Sequence, residues 1–125
     1  MTFKFLPLAF LAAATLVQAP ALAHGNMKPQ HGGMVQMSGE TLFELVVKPA
    51  GVQLFVSDDD EPVNAAGMTA KLGITAAGKT SEVMLKPAAG NQFTGAGVKI
   101  PAGAKVAVMV VNTATKARMG TTFTR

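Results

Sequence analysis

The chain has 125 residues, eleven Lys or Arg against seven Asp or Glu, and no cysteine. That excludes disulfide stapling and thiolate chemistry, and leaves room for one modest core. The cations are scattered, and Trp and Tyr are absent, so nothing here has the basic, aromatic-interleaved look of a nucleic-acid binder.

Residues 1–23 read as a cleaved signal peptide. Lys4 supplies the positive start, Phe5 to Val17 an apolar run, and Ala21-Leu22-Ala23 a small-x-small cleavage pattern. The apolar run is too short to prefer spanning a bilayer. Export to the periplasm with no membrane span after cleavage is the expectation. Cutting after Ala23 makes His24 the first residue and removes Lys4, leaving a net charge of +3 on the mature chain.

Residues 24–33 read as a flexible tail, because Gly25, Pro29, Gly32 and Gly33 argue against a helix. Both histidines of the chain, His24 and His31, lie in it, with Met27 between them and Met34 and Met37 just beyond. A free N-terminal His24 offers an α-amino nitrogen and an imidazole to one ion. Copper(I) favours imidazole and thioether ligands, copper(II) nitrogen and oxygen. The candidate metal set is therefore His24, Met27, His31, Met34 and Met37, with copper in either state as the ion and hand-over by ligand exchange as the mechanism. The alternative is an inert tail in which His31-Gly32-Gly33 only turns the chain into its first strand.

From Met34 onward the pattern is β. Leu42 to Lys48 makes a strand of mixed alternation, ended by Pro49-Ala50-Gly51; Val52 to Ser57 alternates; Asp58 to Pro62 is a polar turn. Met68 to Thr75, Ser81 to Lys86, and Ala104 to Val111 are strands, and Met119 to Phe123 closes the set. Asn91 to Thr94 and Val98 to Ile100 are short β candidates around glycines. Seven or eight short strands with regular turns predict an antiparallel sandwich over 34–125. Met68 and Met119 fall on apolar faces, whereas Met84 and Met109 have the opposite parity.

The acidic run Asp58 to Glu61 lacks the spacing of a calcium loop and reads as a solvated turn. With both histidines in the tail, no nucleophile has a nearby base, and the chain reads as non-enzymatic.

His31-Gly32-Gly33-Met34-Val35, Phe43-Glu44-Leu45-Val46, Val52 to Asp58 and Glu61-Pro62-Val63 together resemble a family of small periplasmic domains encoded with bacterial copper and heavy-metal resistance systems. Similar segments begin the periplasmic adaptor subunits of metal-efflux pumps. The resemblance implies an immunoglobulin-like β-sandwich of about seven strands and a metal-handling context. It also raises a second role, as an interaction module docking on an efflux adaptor or other envelope protein. Such domains often carry a His after the strand-end Asp; here the residue is Asp59.

Overall fold

A computed structural model describes residues 27–125. The signal-peptide segment 1–23 and the candidate ligand His24 lie outside the described residues. Nine antiparallel strands follow in chain order: β1 Met34–Ser38, β2 Thr41–Lys48, β3 Gly51–Asp58, β4 Glu61–Pro62, β5 Met68–Ala76, β6 Lys79–Pro87, β7 Gln92–Ala96, β8 Lys105–Asn112 and β9 Arg118–Thr124. A single 3-10 turn, Ala65–Gly67, precedes β5, with the Asn64 side chain accepting from Ala66 N–H. No helix among the described residues is long and apolar enough to cross a membrane.

The strands form one sheet in the order β1-β2-β3-β7-β6-β5-β8-β9, with β4 paired to β3. The first four make one half and the last four the other. They are joined at a narrow corner, where β6 meets β7 through only Lys86–Thr94 and Pro87–Phe93. At the opposite corner β1 comes up against β9, so the sheet curls almost into a barrel. The all-β antiparallel class predicted from the alternation is observed. The sandwich expected over 34–125 goes further than alternation can, because alternation gives inward and outward positions for sandwiches and barrels alike.

Inward residues meet in one core. Phe43 and Leu45 of β2, Leu54 and Val56 of β3 and Phe93 of β7 pack against Ala70, Leu72 and Ile74 of β5. Val106, Val108 and Val110 of β8 and Phe123 of β9 complete it. Met68 and Met119 pack against this core, as their parity predicts, while Met84 and Met109 are 59% and 38% exposed on the outer face. Burying several large apolar side chains at about 1.5–3 kcal/mol each is what holds a chain without disulfides together.

Two expectations change. Val98 to Ile100 is not a strand; Gly97 (φ 72°) turns the chain before it and Pro101 follows, with no N–H to donate to a ladder. Ile100 instead enters the core from a loop, 2% exposed. The polar segment 58–62 contains a tight turn at Asp59 and Asp60, both at positive φ, so β3 folds straight back into the two-residue β4. Short polar side chains tolerate that left-handed geometry better than most.

Candidate metal centre

Strand β2 is buried on both faces from Phe43 to Val46. Phe43 and Leu45 point into the core, so Glu44 points outward, level with Val35 of β1 and Phe55 of β3. An outward glutamate should stand in water. Glu44 is only 4% exposed, because residues 30–33 run across it.

Those residues bind the carboxylate completely. Gln30 N–H donates to Oε1 at 3.0 Å, and His31 Nδ1 lies 2.9 Å from the same oxygen. His31 N–H and Gly33 N–H donate to Oε2 at 2.8 and 2.9 Å. Each oxygen has two partners, which fills the acceptor capacity of an ionised carboxylate. Burial pushes the Glu44 pKa up, but the hydrogen bonds from Gly33 N–H, the His31 side chain and the His31 and Gln30 N–H groups outweigh it and hold the carboxyl below its ordinary value. Charge-assisted bonds of this kind are the strong class.

The glycines make the pass possible. A Cβ on Gly33 would lie 2.5 Å from the Leu45 carbonyl oxygen and 2.8 Å from a Val46 methyl. Only glycine lets the segment lie this close to β2. The His31-Gly32-Gly33 sequence is thus an anchor as well as a turn.

His31 sits on Phe55, the rings stacked with centroids 3.5 Å apart and planes 2° from parallel. Stacking fixes the ring plane, and Glu44 fixes its rotation. In the neutral tautomer with Nδ1–H donated to Glu44, Nε2 carries the free lone pair. No described residue hydrogen-bonds Nε2, and the side chain is 44% exposed. A carboxylate holding one imidazole nitrogen is the arrangement that orients histidine ligands in metal sites.

Of the candidate ligands, Met27 is exposed four residues before His31. Met34 and Met37 lie three apart on β1 and therefore on opposite faces. Met37 shares the outer face with Val35 and Glu44. Met34 packs against the core and lines a hollow with Arg125, whose positive charge disfavours a cation there. The structure thus brings His31 together with Glu44 and Phe55, and does not bring Met34 and Met37 to one side. Among the described residues no three His, Asp or Glu side chains cluster as a metal site. At the acidic turn, Asp58 Oδ1 is occupied by Thr41 Oγ1, 3.0 Å away.

Glu44 and Phe55 were missed as site residues by the sequence reading. Glu44 had a signal: a lone acid inside the apolar run Leu42 to Val47. Phe55 had none, since one aromatic on an outward strand position is unremarkable.

No family model matches the chain, and no match is found among curated proteins or solved structures.

Proposed function

We propose that this is an exported, non-enzymatic protein that binds copper or a related soft metal ion through its N-terminal His/Met segment, in metal resistance or homeostasis. The observation that carries the reading is the His31 side chain: stacked on Phe55, held at Nδ1 by Glu44, and 44% exposed. The rest of the ligand set comes from nearby in sequence. Met27 supplies a thioether, and His24, if it is the first residue of the mature chain, an imidazole and an amine. Met37 is the β1 methionine on the same face as Glu44; Met34 belongs to the other side. Imidazole with thioethers suits copper(I) or silver(I), and imidazole with the amine suits copper(II).

His31 would be the fixed ligand, and the residues before it would close over the ion. Ordering those residues costs conformational entropy. The affinity should therefore be moderate and the ion exchangeable, as transfer to a partner requires. The periplasmic location and the immunoglobulin-like assignment belong to the same reading. The latter is supported by the division of the sheet into two four-stranded halves that face each other across one core.

The test is a copper(I) competition titration against a chromogenic chelator on the protein purified from its exported compartment. His31→Ala should weaken binding at least tenfold and leave the fold intact, and removal of residues 24–27 should weaken it again. Binding of undiminished affinity in His31→Ala would overturn the assignment.

A further inference from the structure

A second, unrelated site lies at one end of the sheet, between the β2–β3 turn and the loop before β8. There a cavity of about 380 Å³ opens to solvent. Val47, Val98 and Ile100 give it an apolar lining, and Lys48, Lys99 and Arg125 stand around it. None of the described side chains lining it is acidic.

The cations are held without being neutralised. Lys99 Nζ donates to the Pro49 carbonyl oxygen at 3.3 Å, and the Arg125 guanidinium donates to the Ile100 carbonyl oxygen. A carbonyl orients a cation but cancels none of its charge. The ammonium has three donors and the guanidinium five, so each keeps most of them for another acceptor. The main-chain oxygen of Arg125 is itself occupied by Gly103 N–H. Elsewhere on the surface Lys71 has a carboxylate partner in Glu82, at 3.6 Å; among the described residues no Asp or Glu side chain pairs with Lys99 or Arg125.

We propose that this cavity binds a small amphipathic anion, a carboxylate on a short aliphatic or aryl body. The apolar part lies against Val47, Val98 and Ile100, and the carboxylate meets Lys48, Lys99 and Arg125 at the mouth. The volume falls at the lower end of the range for small-molecule sites, which fits a compact ligand. A fixed guanidinium fork favours a planar carboxylate over a spherical ion. A metal cation is disfavoured at the same place, so the site is separate in chemistry from His31.

The experiment is a heteronuclear NMR titration of the full chain with sodium octanoate, and in parallel with octanol, which has the same chain length and no charge. Octanoate should shift the amides of Val47, Lys48, Val98, Lys99 and Ile100, with octanol at least tenfold weaker. The exposed pair Lys48→Glu and Lys99→Glu should weaken octanoate at least tenfold while leaving core amides unmoved. Equal affinity for octanol and octanoate, shifts centred elsewhere, or octanoate binding unchanged in the double variant would each overturn the proposal. Should the double variant misfold, the octanoate–octanol comparison on the unaltered protein still decides.

Discussion

On the outer face of the β5–β8 half, Lys71 sits between Met84 and Met109 in neighbouring strands, and all three side chains reach solvent. On the outer face of the β2–β3 half, Glu44 occupies the equivalent kind of position and is almost fully covered. Both strands obey the same alternation, and both outward residues carry a charge. The difference is that a second piece of chain, residues 30–33, lies over Glu44 and satisfies it with four hydrogen-bonding groups. Lys71 has one surface partner, Glu82, of a kind worth about 0–1 kcal/mol. An outward strand position thus becomes structural only when another segment brings its own donors to it, and here that segment also carries the candidate metal ligand.

The sharpest way to break this contrast is Glu44→Gln. An amide nitrogen would face N–H groups that now meet an oxygen, and the charge would be lost. Loss of about 2–3 kcal/mol in urea denaturation is expected, with amide exchange of residues 30–33 rising to that of free chain. The Gly33→Ala substitution should follow at about 1–3 kcal/mol, since its methyl would press on the Leu45 carbonyl and Val46. The same exchange measurement should show residues 30–33 lifted while β5 to β8 stay protected.

Acid sharpens the comparison without mutation. The Glu44 pKa is lowered in the folded protein from its ordinary value of 4.5, so the stability it contributes is present above that value and is lost as pH falls through the lower folded value. The stability gap between the unaltered protein and Glu44→Gln, followed by denaturation against pH, should be constant above pH 4.5 and shrink below it. Phe55→Leu should cost about 1 kcal/mol for the lost ring stack, and copper titration should show weakened binding because the imidazole is less well oriented. The control on the other half is Lys71→Ala, for which a change within about 0.5 kcal/mol is expected. A larger loss there would mean that the two outer faces do not differ as described.

Much of this was readable before the fold. The inward sets Leu72, Ile74 and Ala70, or Val106, Val108 and Val110, follow from period-two alternation alone, because a strand has only two faces. The parity of Met84 and Met109 against Met68 and Met119 followed in the same way. His31 was visible as a candidate because histidine is one of few residue types able to ligate a soft ion. Its support was not visible. Glu44 is thirteen residues away, an acid in a strand of mixed alternation with nothing to tie it to His31, and Phe55 reaches the imidazole only because β2 and β3 pair in one register.

The sequence by itself determined the strand periods, the turns and the chemistry on offer in the His/Met segment, since these depend on neighbours along the chain. The tertiary structure alone decided that the sheet curls until β1 reaches β9, that Val98 to Ile100 serves the core from a loop, and that Met34 and Met37 separate toward different surroundings. It also decided which imidazole nitrogen meets Glu44. Each of these depends on residues distant in sequence arriving at one place, and local pattern carries no information about distance through space.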